Sequence, residues 1–593
     1  MAPAARKWLP PGEAERKRDD LLDARGRVDL EPLTRNPLLL TLMATLHANR
    51  GRLPDDRADL YDESVGLLML RWNRQIGADR ALLEELAIPS LKLSDLREVL
   101  EELAFAVHRQ NVGREGTADI AEHKLVNGFR PLLNNSKDKA DVVVEYIEKR
   151  AGLLTGQGEK DGERQFSFPH RTFQEFLAAS YLAGQSDFPA ECVRLARAAP
   201  GHWQVVLELA ARLAKAERGT SAADELIGGV AVAEFCKRRQ PTEADWLCAR
   251  LAGMLLLEIG MSAIKARERT RAIAARVAHW IAASLPVHPD EGGMPATLRA
   301  EAGDILARLG DPRFDAERFY LPADDNLGFV HIPADPHFRI GTRRADAPRK
   351  AEILGSQVFY DRELNDDLTP TPEFYIARYP VTVGQFRAFV DSTRAHCIAD
   401  ALRGPDNRPV SWVSWREGLA YCDWLQEMLT TSPQLADNKI ARLVREGRRS
   451  VTLPSELEWE KAARGGQPDA IYSWGDNPDP NRANYDETQI GDTSAAGCFP
   501  ANAFGLNDML GNLWEWTRSV YADYPYDPND RWRENLNADG MTERVLRDGA
   551  WLNLRVGARC ACAHRIKAIP SYCDRDIGLR VVLRVAPVPD SAL

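Results

Sequence analysis

The chain has 593 residues, of which 44% are hydrophobic and 28% charged, a globular composition that excludes a mostly disordered or fibrous protein. Its length allows roughly four domains of ordinary size. A net charge of −10 points to neither a nucleic-acid nor an anionic-membrane partner.

The first residues, MAPAARKWLPPGEAERKRDD, have no apolar core and no cleavage site, so no secretory signal is read there. From about Asn36 to residue 315 the pattern is helical. Asn36-Pro37 before LLLTLMATLHAN predicts a helix start, with Asn as the cap and Pro at the first helical position. In DRADLYDESVGLLMLRW, Leu60, Leu67, Leu68 and Trp72 fall near one face. Amphipathic Ala- and Leu-rich stretches fill residues 190–310. The most apolar, LAGMLLLEIGMSA from Leu251, is broken by Glu258 and too short to span a bilayer. TLRAEAGDILARLGDPR should stop at Gly310 and Pro312. A soluble, cytoplasmic protein is expected. The nine cysteines, odd in number and scattered from Cys192 to Cys573, form no secreted disulfide framework.

The texture changes near Leu327, and Pro322 to Asn326 reads as the domain boundary. Nine of the 14 Trp lie beyond it, among many Gly, Pro, Asn and Asp, which predicts short elements, long ordered loops and buried indoles. Three capping boxes predict helix starts: Thr382 with Gln385, Ser414 with Glu417, and Ser455 with Glu458. Strands are predicted at 329–333, 372–382 and 577–585.

In the first half, Arg35-Asn-Pro-Leu-Leu-Leu40 with LPDDRADLYDESVGLLMLRW resembles the helical region after a NACHT-type nucleotide-binding core. FSFPHRTFQEFL around His170 resembles that family's winged-helix segment. The resemblance implies that Pro37 approaches the adenine and His170 the β-phosphate. No G-x-x-x-x-G-K-[ST] and no acidic Walker B strand stand in the sequence, so no loop cradles phosphates and no hydrolysis is expected. On that reading the chain is a truncated descendant or one piece of a split system. Pro37 and His170 then serve packing and capping.

In the second half, FVHIPADPHFRIGT, PVTVGQFRAFV, RPVSWVSWREGLAYCDWL, VTLPSELEWEKAARGG, YSWGD, NAFGLNDMLGNLWEW, RVLRDGAW and DIGLRVVL follow one another. In this order they resemble the formylglycine-generating-enzyme/sulfatase-modifying family, whose fold is a variant of the C-type lectin fold. The expected architecture is multidomain. A mainly α N-terminal half has a helical and winged-helix-like remnant over 1–185 and a HEAT-like helical spacer over 186–322. An α+β C-type-lectin domain follows over 326–587, with a variable region at 549–580.

The family's enzymes oxidise a sulfatase cysteine to formylglycine with two cysteines that bind copper, chemistry that suits soft thiolates. The resemblance puts the first at Asn553 and the second near Gly557 or Ala558, and none of these is Cys. No copper, no catalytic residue and no bound nucleotide are therefore expected. Cys560-x-Cys562-x-His564 with Cys573 reads either as a metal site, since alternate residues of a strand share a face, or as packed core. The resemblance also implies calcium at Asp508, Gly511, Leu513 and Glu515, with hard oxygens from one tight loop; local capping or pairing of Asp508 and Glu515 is the alternative. A second family site would use Asn484 and the Tyr485 carbonyl.

The tract LNLRVGARCACAHRIKAIPSYCDRD lies between Gly549-Ala550-Trp551 and Ile577-Gly578-Leu579-Arg580. It has no helical or strand period, and apolar residues exposed there would form a contact surface. The setting resembles the variable proteins of diversity-generating retroelements, whose diversified residues line a ligand-binding face. The resemblance implies a ligand surface of Leu552, Asn553, Leu554, Val556, His564, Ile566, Ile569, Ser571, Tyr572, Cys573 and Asp576, with Cys562 beside them. It further implies a receptor-like, non-catalytic protein of bacterial defence or signalling. A macromolecular, protein ligand and a separate NTPase or signalling subunit are the expected partners, with neither nucleic acid nor membrane. A fixed loop in an ordinary family member, a formylglycine-type oxidase and a truncated NACHT ATPase are the rival readings.

Overall fold

The computed structural model describes residues 37–50, 57–70, 82–113, 119–231, 240–354, 361–527, 529–552 and 560–585. The chain divides into two compact units, one of residues 1–231 with 254–270 and one of 232–253 with 271–593.

The first unit opens with helix Pro37–Arg50, with Pro at the first helical position as predicted; Asn36 and Trp72 lie outside the described residues. Helix Arg57–Leu70 buries Leu60, Tyr61, Val65 and Leu68. Strands β1 (Ile120–Ala121), β2 (Thr155–Lys160) and β3 (Glu163–Ser167) form an antiparallel sheet in the order β1-β3-β2. With helices Leu93–Gln110, Glu122–Phe129 and Arg171–Gly184 they make the winged-helix part. Its core is aromatic: Tyr61 meets Phe173 and Phe176 at centroid distances of 6.0 and 5.8 Å. His170 caps helix Arg171–Gly184, its ring accepting from the Thr172 N–H at 3.3 Å. Among the described residues, no helix is long and apolar enough to cross a membrane.

In the second unit, helix Ala296–Leu309 ends at Gly310 as its sequence predicts. Buried Arg299 donates to the carbonyls of Leu285, Cys498 and Asn481 at 3.1, 3.0 and 2.7 Å. Arg408 grips Asp304 through two bonds of 2.9 and 2.7 Å. A Cβ on Gly303 would lie 2.5 Å from the Ala495 Cβ, so only glycine allows this approach. The unit that holds the C-terminal domain thus starts upstream of Pro322–Asn326.

A ribbon of β4 (Phe314–Asp315) and β5 (Leu321–Pro322) leads into two four-stranded sheets. Strands β6 (Phe329–Ile332), β7 (Phe374–Ala377), β8 (Arg449–Thr452) and, near the end of the chain, β13 (Val582–Val585) pair antiparallel in the order β6-β7-β13-β8. Strands β9 (Trp514–Val520), β10 (Arg544–Arg547), β11 (Arg565–Ala568) and β12 (Ile577–Leu579) pair in the order β11-β10-β9-β12, with β12 parallel to β9. All three capping boxes form. Thr382, Ser414 and Ser455 each accept from the N3 amide, and Gln385, Glu417 and Glu458 reach back to the cap amides.

The core of this domain carries buried charges. Arg547 and Arg565 lie directly opposite on β10 and β11, where like charges repel. Glu456, on helix Glu456–Arg464, offsets this by bonding both, Arg565 at 2.7 Å and Arg547 at 3.3 Å. Glu460 pairs with Arg547 and, at 2.6 Å, with Arg464. Tyr521 and Tyr524 lie against the Arg565 guanidinium, 4.4 and 4.5 Å from ring centroid to charge.

Arg580 ties the two sheets together. Its Nη1 donates to the carbonyls of Ala377 and Arg378 at 2.9 and 2.7 Å, and Nη2 to those of Asn507 and Asp508 at 2.9 and 2.8 Å. Nε and Nη2 clasp the Glu515 carboxylate at 2.9–3.1 Å. Breaking a buried pair leaves a charge without compensation, at a cost of about 3–5 kcal/mol. Arg580→Met should therefore lose about that much in chemical denaturation, and more than Arg403→Met, whose partner Asp400 is half-buried at a more exposed site. Equal stability of the two variants would contradict this role.

Candidate ligand site

The tract between Trp551 and Ile577 is not one surface loop. Residues 553–559, and with them Asn553, Leu554 and Val556, lie outside the described residues. Cys560, Ala561, Cys562, Ala563, His564 and Arg565 are all buried. His564 has 3% exposure and bonds Glu363 at 2.8 Å, so it does not belong to the exposed surface expected of it. Ile566 sits in β11 opposite Leu546 and packs against the main core, so it too is structural. Leu552, Ile569, Cys573 and Asp576 are half-buried, and Ser571 and Tyr572 are exposed.

Burial pushes the Cys562 thiol up to about 12 and the Cys560 thiol well above its usual value. Both pack into the second apolar core with Trp459, Tyr472 and Val582. This corrects the reading of Cys560, Cys562, His564 and Cys573 as one metal site: two thiols are apolar core and the imidazole is paired with Glu363. Among the described residues, no three His, Cys, Asp or Glu side chains are placed to hold a metal ion.

The four residues of the calcium reading do not fit as a set. Both Glu515 oxygens face Arg580, and Oε2 also accepts from the Trp459 indole at 2.7 Å. The Gly511 carbonyl accepts from the Leu513 amide at 3.0 Å. Asp508 offers one oxygen: Oδ2 accepts from Gly497 N–H at 2.6 Å, and buried Oδ1 has no partner. A guanidinium supplies the positive charge that holds this loop. Asn484, of the second site, gives its amide to the Asp492 carbonyl at 2.9 Å.

Sequence reasoning passed over Asp548. It lies just before Gly549, fully buried, at φ +84°, a backbone region that L-residues rarely enter. Its Oδ1 accepts from Gly511 N–H at 2.7 Å, and Oδ2 has no partner. Burial, then the Glu515 charge, raises its pKa well above the usual carboxylate value.

Beside this strained corner opens a cavity of about 610 Å³. Trp412 and Trp551 form walls, with Arg403, Arg408, Asp492 and Arg575 around them. Trp551 is half-buried and forms a wall, and Ala550, Ile577 and Leu579 are the buried anchors at the two ends of the tract. Trp412 has φ +61°, an outlier for so bulky a residue, and its N–H donates to the Asp574 carbonyl at 2.8 Å. The same turn carries Tyr572, whose hydroxyl donates to Asp574 Oδ2 at 3.0 Å. The lining residues Val383, Arg403, Trp412, Asp492 and Arg575 come from four separate stretches of the chain, so no local pattern announces the cavity.

Burial pushes Asp508 up to about 6. The folded protein therefore holds this proton more tightly than the unfolded chain, whose carboxyl titrates near 4. The stability linked to it is present below about pH 4 and is lost as pH rises through about 6; raised Asp548 acts in the same direction. Asp508→Asn keeps an oxygen for Gly497 and tolerates φ +51°. In chelator, its Tm should match the parent near pH 4 and exceed it at pH 7–8. A constant Tm difference from pH 4 to 8 would contradict the assignment.

The sulfatase-modifying factor enzyme 1-like domain matches residues 343–585, and the winged helix-turn-helix domain C-terminal to NACHT matches 57–182. The formylglycine-generating enzyme of Mycobacterium tuberculosis is 32% identical over 238 residues, 32% of this chain and 77% of that protein. The inactive C-alpha-formylglycine-generating enzyme 2 of Mus musculus is 32% identical over 186 residues, 29% of this chain and 48% of that protein. The chain thus spans about half the length of the mouse relative. The solved structure of Treponema denticola variable protein 1 aligns with a TM-score of 0.32 at 21% identity, covering 44% of this chain and 95% of that one. Catalytic and inactive proteins both stand among these relatives, and through its C-terminal domain the chain belongs to the formylglycine-generating-enzyme-like, sulfatase-modifying-factor family.

Proposed function

We propose that the C-terminal domain is a non-catalytic module that binds a protein ligand at the cavity and at the 569–576 turn. The cavity carries the reading: about 610 Å³ walled by two indoles, of a size that holds a ligand rather than a water. Large rigid aromatics in a pocket are the usual anchors of a binding surface. Support against catalysis comes from the residues where family resemblance places copper thiolates, Asn553 and Gly557 or Ala558. The nearby thiols, Cys560 and Cys562, are held protonated by burial, whereas reactive thiolates need a partly exposed, electropositive setting.

The N-terminal unit, in this proposal, passes on or positions the binding event and hydrolyses no nucleotide, since the sequence holds no phosphate loop. The partner NTPase or signalling chain, cytoplasmic location and a role in bacterial defence remain part of the proposal. Retroelement diversification would act on the exposed turn, not on the buried 560–566 stretch. A near-identical template repeat and a reverse transcriptase beside the gene are the check on it.

With copper and oxygen, a sulfatase-type Cys-x-Pro-x-Arg peptide should keep its cysteine; formylglycine in the mass spectrum would overturn the proposal. The turn and the buried stretch should also separate. Ser571→Ala with Tyr572→Ala should stay within about 0.5 kcal/mol of the parent in denaturant melts and weaken any ligand selected from a display library. His564→Ala should lose about 1–3 kcal/mol, because Glu363 is left buried without its imidazole. Equal losses from both variants would sink the placement of the face at 569–576.

A further inference from the structure

Three features converge on one wall of the cavity. The Trp551 indole nitrogen is buried with no acceptor among the described residues. The Arg575 guanidinium lies 5.3 Å from the Trp551 ring centroid. Among the described residues, no carboxylate pairs with that guanidinium. The other two cavity arginines are spoken for: Arg403 by Asp400, and Arg408 by Asp304 and Asp492 at 2.7 and 2.6 Å. The third feature is the strained backbone of Trp412. Strain of this kind persists where the surroundings hold it, often at ligand clamps.

These groups ask for a defined chemistry. A guanidinium is a fork of donors with no acceptor function, and it suits a carboxylate, which accepts through two oxygens. The two indoles supply flat apolar walls on which an aromatic or large aliphatic side chain can lie. The acids around Arg575 are Asp400 and Asp492 on the cavity lining, which Arg403 and Arg408 engage, and Asp574 and Asp576 on its own turn. Asp574 is engaged by the Tyr572 hydroxyl and by the Arg575 amide, and half-buried Asp576 shows a pKa raised by burial. They temper the positive charge at the mouth without closing the fork.

Resting on the ligand-binding reading above, we propose that the cavity selects an acidic peptide segment of a protein ligand. A Glu or Asp carboxylate meets the Arg575 guanidinium, and a neighbouring aromatic residue lies against the Trp412 and Trp551 walls. A cationic peptide is disfavoured, because it would place a second positive charge against Arg575.

The test uses the full chain and three fluorescein-labelled peptides, Gly-Ser-Phe-Glu-Ser-Gly and its Gln and Lys counterparts, read by anisotropy at low and high salt. The Glu peptide should bind about tenfold or more tighter than the Gln peptide, the size of one charge-assisted hydrogen-bond pair. The Lys peptide should not saturate, and salt should narrow the Glu/Gln gap. Arg575→Gln should abolish the Glu/Gln discrimination with an unchanged Tm. Trp412→Phe should weaken both peptides alike. Equal binding of Glu and Lys peptides, discrimination that survives Arg575→Gln, or no saturation by the Glu peptide would each overturn the acidic-peptide assignment. The binding reading itself fails separately, if no displayed ligand of any composition depends on Ser571 and Tyr572.

Discussion

The Arg580 guanidinium is the fixed point of the C-terminal domain. A charge buried with 0% exposure survives only when its donors are used, and Arg580 spends them on four carbonyls and one carboxylate from three chain segments. Ala377 and Arg378 come from the end of β7, Asn507 and Asp508 from the loop before β9, and Glu515 from β9 itself. Because Arg580 directly follows β12, the pairing sets where that strand lies against β9. The register Ile577 to Trp514 and Leu579 to Trp516 follows. This in turn places Trp514 beside His564 and carries the 569–576 turn to the cavity mouth.

That arrangement explains why Asp508 and Asp548 are exposed to strain while Glu515 is not. One guanidinium can saturate one carboxylate, and Glu515 takes it at 2.9 Å. Asp508 and Asp548 are left with single backbone amides, from Gly497 and Gly511. Both acids also sit at positive φ, +51° and +84°. The cost is carried at these two acids and not in the cluster in which Glu456, Glu460, Arg547 and Arg565 satisfy one another. Rigid sheets and a strained rim are what a binding surface needs if its side chains are to differ without loss of the scaffold.

Features set by near neighbours were legible in the sequence. The capping boxes at Thr382, Ser414 and Ser455 need only residues three apart, and all three form. The helix stop at Gly310 and the strands near 329 and 374 also form, whereas the single strand expected over 577–585 divides into β12 and β13, which belong to different sheets. What was misread depends on partners far along the chain. Resemblance puts His564 on the ligand face, and nothing in the sequence near Arg565 marks it as buried. Their partners, Glu456 and Glu363, lie about a hundred and two hundred positions away, and no local pattern announces them. Likewise the 560–568 stretch shows no alternation, since buried arginine and cysteine occupy places where a simpler strand would show Val or Ile. The cavity was hidden for the same reason.

The buried thiols and the Arg575 guanidinium support the proposed binding role together. A thiolate pair that binds copper needs an open, electropositive pocket that favours deprotonation. Here Cys560 and Cys562 lie in the apolar core with Trp459 and Val582, and at the cavity a guanidinium unpaired among the described residues lies over Trp551. A guanidinium cannot give up its proton at neutral pH and offers five donors in a fixed plane. It cannot move protons or electrons for a reaction, but it can hold an acceptor in place.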